Sequence, residues 1–388
     1  MKKHVSLLLT LTLTVTAALT GCAGSTSGSG SQPPTAAEST SAAPAQETDS
    51  TQGTADSSPE SPAGEDHSGA SRDTATAVSE EAAADKTSGP VIRVGSLKGP
   101  TSMGLVHLMD LNEKGEAGNQ YEFTMVTAAD ELVAKIASGD LDIALVPANV
   151  SSVLFNKTKG AVSVIDINTL GVLDIVASDD SIQSIGDLKG RTIYLTGKGT
   201  TPDYVLHYLL SANGLDEGDV KLEYKSEPTE VAALLKEQPD AIGLLPQPFV
   251  TAACAQNESL KIVLDLTTEW DNINVKTGGE SRLVTGVTIA RREFLEASPE
   301  AIDVFLEEHF QSADYAEAHA EEAAVLVAKL GIIEKAPIAE KAIPYCNLVC
   351  ITGAYMQTCL EGYLQVLYDQ NPASVGGAMP TEDFYFVP

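Results

Sequence analysis

From Pro90 to the C-terminus, short β-branched runs alternate with longer segments of helical period, and a strand-helix-strand-helix-strand order is completed twice. The first pass places strands at 91–94, 121–126 and 143–146, with helices at 102–110 and 129–137. The second places strands at 191–195, 221–224 and 241–245, with helices at 202–212 and 230–236. Strands separated by helices cannot pair as hairpins, so the chain is restricted to an α/β architecture of parallel or mixed sheets with helices on both faces. Apolar runs at 170–178 and 283–290 follow the two blocks. Read as crossings between lobes, they predict a discontinuous first lobe, 90–177 with 283–388, and a second lobe, 178–282. Ser298 with Pro299 gives a later helix its N-cap and first residue, and Gly331 gives the next one its stop.

Before Pro90 nothing reads as a fold. Residues 1–22 carry Lys2 and Lys3, then a long apolar and threonine run, and read as an export signal. The run ends in Leu19-Thr20-Gly21-Cys22, which resembles the bacterial lipobox, in which the cysteine is acylated and becomes the mature N-terminus. At roughly 0.8 kcal/mol per buried methylene, acylated Cys22 would hold the protein on the outer face of a membrane. No later segment has the ~20 consecutive apolar residues that a spanning helix needs. Residues 23–89 contain no aromatic, and Val78 is their only large aliphatic. A segment like that cannot bury enough surface to offset its chain entropy, so it reads as a disordered tether with a reach of about 45 Å.

The net charge of −30 argues against a nucleic-acid partner, because phosphate neutralisation needs clustered Lys and Arg. The tether accounts for −9 of it, from 11 acids and 2 bases, and the part from Pro90 onward for −23. Such a charge bears on solubility and partners, not on the sign of a bound ligand.

Ligands of open α/β sheets sit beyond the carboxyl ends of strands, near free helix N-terminal N–H groups. The turns at those positions are rich in small polar residues. They are Gly99-Pro100-Thr101-Ser102, Thr127, Pro147-Ala148-Asn149, Thr196-Gly197-Lys198-Gly199-Thr200-Thr201-Pro202 and Pro246-Gln247-Pro248. Thr101 or Ser102 would cap a helix or face a ligand, and Thr201 would cap the helix that Pro202 begins. Gly197 and Gly199 allow either close backbone approach to a ligand or a tight turn. Pro202 stands where a dinucleotide fingerprint needs its third glycine, and no GxxxxGK[ST] occurs. Lys198 is the one cation in these turns. Trp270 can stack on a heteroaromatic ring or serve as packing.

Catalytic constellations are poor. The six histidines fall in separate segments, Cys346, Cys350 and Cys359 have no zinc-ribbon spacing, and G-x-S-x-G is absent. Five cysteines make no disulfide scaffold, and their spacing identifies no pair. No catalytic, metal or cofactor site is therefore expected.

Four motifs, taken in order, resemble a known family. They are Arg93-Val-Gly-Ser-Leu-Lys-Gly-Pro-Thr-Ser102, Ile185-Gly-Asp-Leu-Lys-Gly-Arg-Thr-Ile193, Asp240-Ala-Ile-Gly-Leu-Leu-Pro-Gln-Pro-Phe249 and Met379-Pro-Thr-Glu-Asp-Phe384. The chain is similar, over roughly its last three quarters, to the type II periplasmic-binding-protein fold of ABC-importer lipoproteins for alkanesulfonates, taurine, nitrate and thiamine-pyrimidine precursors. The resemblance implies a monomeric two-lobed clamp that closes on a small solute without turning it over and delivers it to a permease and its ATPase. By position, Pro100, Thr101, Ser102, Thr127 and Asn149 would line the first lobe, and Lys198, Gly199, Thr200, Thr201, Gln247 and Pro248 the second, with Trp270 stacking. Gln247 stands where the family usually has glutamate, which removes a charge from that wall. A sensing lipoprotein would share all these features, whereas an enzyme on this fold would need a reactive group that the turns lack.

Overall fold

The computed structural model describes residues 90–216 and 218–387. The signal segment, Cys22 and the tether lie outside them.

Six strands form the first sheet: β1 (Val91–Leu97), β2 (Gln120–Val126), β3 (Ile143–Pro147), β4 (Val162–Leu170), β10 (Val284–Arg291) and β11 (Leu348–Ile351). Their order is β11-β4-β10-β3-β1-β2. The second sheet holds β5 (Leu173–Ala177), β6 (Thr192–Thr196), β7 (Lys221–Lys225), β8 (Ile242–Pro246) and β9 (Lys261–Asp265), in the order β7-β6-β8-β5-β9. In each sheet one trio of strands is parallel, β1 with β2 and β3, and β6 with β7 and β8. In each, a strand of opposite direction closes against the trio, β10 on β3 and β5 on β8. The α/β reading holds.

The crossing is placed differently from the sequence expectation. The apolar run 170–178 is not one strand: Leu170 ends β4 in the first sheet, and Leu173–Ala177 pairs with β8 and β9 of the second. The chain changes sheet at Gly171-Val172. A Cβ at Gly171 would run into Thr267 Oγ1 and Leu283, so a side chain there would push the two crossing segments apart. The expected helix 102–110 is likewise two pieces, Pro100–Met103 and Val106–Lys114.

Helices cover both faces of each sheet. Helix Ala129–Ser138 buries Leu132 and Ile136, each contributing about 1.5–3 kcal/mol, and presents Asp130 and Glu131 at its N-terminus. One apolar cluster runs from β4 and β10 through helix Gly353–Gln370 to β5, β6 and helix Thr201–Ala212, with Tyr363 and Trp270 fully buried in it. Helix Gly353–Gln370 therefore packs on β4 and β10 of the first sheet and on helix Thr201–Ala212 of the second lobe.

Candidate functional site

Both crossings lie at the edge of the first sheet where its parallel strands end. Val284 opposes Leu170, and Gly286 opposes Pro147, the last residue of β3. In the second sheet Leu173 opposes Pro246, the last residue of β8, and Asp174 opposes Asp265, the last residue of β9. The carboxyl ends of both parallel trios thus face the crossings, and the turns after β1, β2, β3, β6 and β8 open on that side.

In the first turn Thr101 and Ser102 are buried. Thr101 Oγ1 donates to the Leu97 carbonyl at 3.0 Å, and Ser102 Oγ to Ser96 Oγ at 2.7 Å and also to Leu97. Neither caps the short helix, and Ser102 does not face outward as expected, because its hydroxyl satisfies the end of β1. Pro100 is half-buried and Thr127 exposed. Asn149, half-buried in helix Ala148–Thr158, donates from Nδ2 to the Ser374 carbonyl at 3.3 Å.

In the second lobe Gly197 and Gly199 both have left-handed backbones, φ 77° and 73°. The turn closes on itself through Thr200, whose N–H and Oγ1 donate to the Gly197 carbonyl at 2.9 and 2.6 Å. Buried Asp203 organises it, accepting from the Gly199 N–H at 2.7 Å and the Tyr224 hydroxyl at 2.5 Å, with His207 Nε2 at 3.3 Å. Lys198 is exposed, its ammonium 5.3 Å from the Tyr224 ring centre. The helix begins at Thr201, one residue before the expected start. Thr201 hydrogen-bonds the buried Tyr363 instead of capping.

Gln247 is buried. Its Nε2 donates to Asp174 Oδ2 at 3.1 Å, and its Oε1 accepts from Thr251 N–H at 3.3 Å and Thr251 Oγ1 at 2.7 Å. The peptide bond to half-buried Pro248 is cis. Trp270 is not a stacking platform. It is fully buried, with Tyr208 and Tyr363 rings at 4.5 and 5.8 Å and its indole N–H donating to Ser281 Oγ at 3.0 Å. The helix Leu266–Thr277 turns it into the core.

A cavity of about 640 Å³ adjoins Gln247. Asp174, Thr251, Cys254 and Asp265 line it from the second sheet and helix Phe249–Gln256, and Lys341 and Tyr345 line it from the C-terminal part of the chain. That volume suits a small organic molecule. Burial and the neighbouring Asp265 push the Asp174 carboxyl up to about 7, against the pull of the Gln247 amide. Burial and Asp174 also raise the Cys254 thiol. The sequence reading missed these lining residues. The signal for Asp174 was a carboxylate inside an otherwise apolar strand; Lys341 and Tyr345 reach the site only through packing.

One grouping brings together residues that no sequence spacing connects. Asp166, His309 and Cys350 each offer an atom within 4.8 Å of the others. Asp166 accepts from Thr288 Oγ1 at 2.8 Å, and His309 Nδ1 lies 3.2 Å from its other oxygen. No spacing rule could show this set, because it joins β4, helix Pro299–Ala318 and β11. It lies between the first sheet and helix Pro299–Ala318, with His309 Nε2 close to Gly104 at the end of the short helix Pro100–Met103.

Two lobes, two crossings and turns facing both of them define the periplasmic-binding-protein fold. Over 76% of the chain, the structure superposes on an ABC transporter protein from Parabacteroides distasonis, with TM-score 0.64, 21% identity and 98% of that chain covered. It also superposes on the periplasmic aliphatic sulphonate binding protein of Escherichia coli, with TM-score 0.59, 17% identity, and 76% and 96% of the two chains covered. Residues 122–323, just over half of the chain, match the family model described as NMT1/THI5 like, and the chain belongs to this family. A binding protein of Brucella abortus (strain 2308) is 25% identical over 210 residues, 54% of this chain and 61% of that protein. The chain thus matches about three fifths of that relative's length.

Proposed function

We propose that the protein is the extracytoplasmic solute-binding lipoprotein of an ABC importer. Acylated Cys22 anchors it, residues 23–89 tether it, and a lobe of 90–172 with 284–388 closes against a lobe of 173–283 on a small organic molecule. The loaded monomer delivers the molecule, chemically unchanged, to a permease and its ATPase. Thr127, Lys198, Gly199 and Thr200, with half-buried Pro100 and Pro248, are the expected turn residues that remain open to a solute, whereas Thr101, Ser102, Asn149, Thr201 and Gln247 shape the walls.

The observation that carries this reading is the register: the carboxyl ends of both parallel trios face the two crossings. A ligand at that edge touches both lobes, so its binding favours closure. Membership of the family and the roles of the superposed proteins agree with it. The test is a thermal-shift screen of the full chain against sulfonates, carboxylates and nitrogen heterocycles, with each hit recovered and analysed after long incubation. A raised Tm with the compound recovered intact supports the reading. Conversion of the compound contradicts it.

A further inference from the structure

We infer that Asp166, His309 and Cys350 form a binding site for one zinc ion, built into the first lobe behind its Pro100–Met103 turn. The inference does not depend on which solute the protein takes.

Asp166 and His309 are fully buried, and Cys350 is half-buried. A carboxylate at that depth is costly without a counter-charge. Among the described residues the one ion-pair partner of Asp166 is His309, which is charged only when protonated. Bond lengths of about 2.0–2.3 Å around a tetrahedral zinc ion place its ligand atoms roughly 3.3–3.8 Å apart. Asp166 Oδ2 and His309 Nδ1 stand at 3.2 Å, and the sulfur completes a set that lies within 4.8 Å. A small turn of the Cys350 side chain would close it on an ion. Carboxylate, imidazole and thiolate suit zinc, binding releases the thiol proton, and the divalent ion cancels the two negative charges.

The surroundings hold these ligands in place. Thr169 Oγ1 donates to Asn168 Oδ1 at 2.9 Å, Asn168 Nδ2 to Thr288 Oγ1 at 3.1 Å, and Thr288 Oγ1 to Asp166 Oδ1 at 2.8 Å. That buried chain turns the other oxygen of Asp166 toward His309, as outer hydrogen bonds orient carboxylates in metal sites. Both neighbours of β4 slip in register beside the cluster, β10 between Thr288 and Ile289 and β11 between Leu348 and Ile351. Such irregularities re-aim side chains next to functional sites. A cysteine nucleophile would need its sulfur on His309 Nε2. Here Nε2 has no partner and borders Gly104, while Cys350 Sγ meets the Leu306 carbonyl at 3.7 Å. A zinc ion would tie β4, helix Pro299–Ala318 and β11 together directly behind the turn.

The test is titration of the untagged full chain, stripped with EDTA, with Zn²⁺ alone and separately with Co²⁺, whose absorption reports a tetrahedral site and a thiolate ligand. Expected are one Zn²⁺ per chain, a thiolate-to-cobalt charge-transfer band that Zn²⁺ abolishes, and a Tm raised by Zn²⁺. Cys350→Ser, its fold checked by circular dichroism, should lose the band, and both it and Asp166→Asn should bind Zn²⁺ about tenfold or more weakly. A wild-type chain that binds no Zn²⁺, cobalt binding without the thiolate band, or a band and Kd that persist in Cys350→Ser overturns the site.

Discussion

Asn347 clamps Gly171 at the point where the chain leaves the first sheet. Its Nδ2 donates to the Gly171 carbonyl at 2.5 Å, and its own carbonyl accepts from the Leu170 N–H at 3.1 Å. Asn347 has φ 47°, a left-handed conformation that asparagine tolerates better than most residues. The segment that carries Lys341 and Tyr345 is thereby tied to the crossing. Asn347→Ala is expected to lower unfolding free energy by about 1–3 kcal/mol in urea titrations. Asn347→Gly keeps the backbone and should recover part of that loss. Wild-type stability in both would show the clamp to be idle.

Asp174 gives a pH signature. Its folded-state value of about 7 stands above the ordinary 3.8, so the fold binds its proton more tightly than the unfolded chain does. The stabilisation is therefore complete below about pH 4 and is lost as pH rises to about 7, by about 4 kcal/mol at 1.36 kcal/mol per pH unit. The groups around it are Asp265 across the ladder, Gln247, the Cys254 thiol, Lys261, Lys341 and Tyr345. From pH 4.5 to 7.5 the unfolding free energy of the wild type should fall steadily relative to that of Asp174→Asn, along that slope. Parallel curves would contradict the assignment.

Asp203 holds the glycine turn of the second lobe through the Gly199 N–H and the Tyr224 hydroxyl. Removing it takes away the acceptor that both groups share, and a hydrogen bond to a charged group contributes roughly 1.5–3 kcal/mol. Asp203→Ala should lose about 2 kcal/mol or more of stability and speed amide hydrogen exchange across 197–201. Unchanged exchange there would mean that the turn holds itself through Thr200.

Trp270→Phe separates packing from binding. The substitution removes the hydrogen bond to Ser281 and part of the ring contact with Tyr208 and Tyr363. Stability should fall by roughly 1–3 kcal/mol while the Kd of any bound solute stays the same. A large loss of affinity with little loss of stability would return Trp270 to the binding surface.

The two βαβαβ blocks were legible because buried parallel strands read as apolar runs while the intervening helices keep their own period. The crossing was less legible. Leu170 and Leu173 both belong to one apolar run, and only their pairing partners, Val284 for the one and Pro246 for the other, assign them to different sheets. The candidate turns were visible as clusters of Gly, Pro, Ser and Thr. Which hydroxyls face outward was not, because Ser102 turns to Ser96 and Thr201 to Tyr363, a partner far along the chain. The same limit hid Lys341 and Tyr345, which reach the cavity only through tertiary packing.

Native mass spectrometry of the full chain, purified without denaturation and then offered the solute panel, tests the central claim most directly. The account predicts a one-to-one complex with a small molecule that acid releases unchanged. A chain that stays bare after purification and throughout the panel, or that returns a bound compound chemically altered, would contradict it.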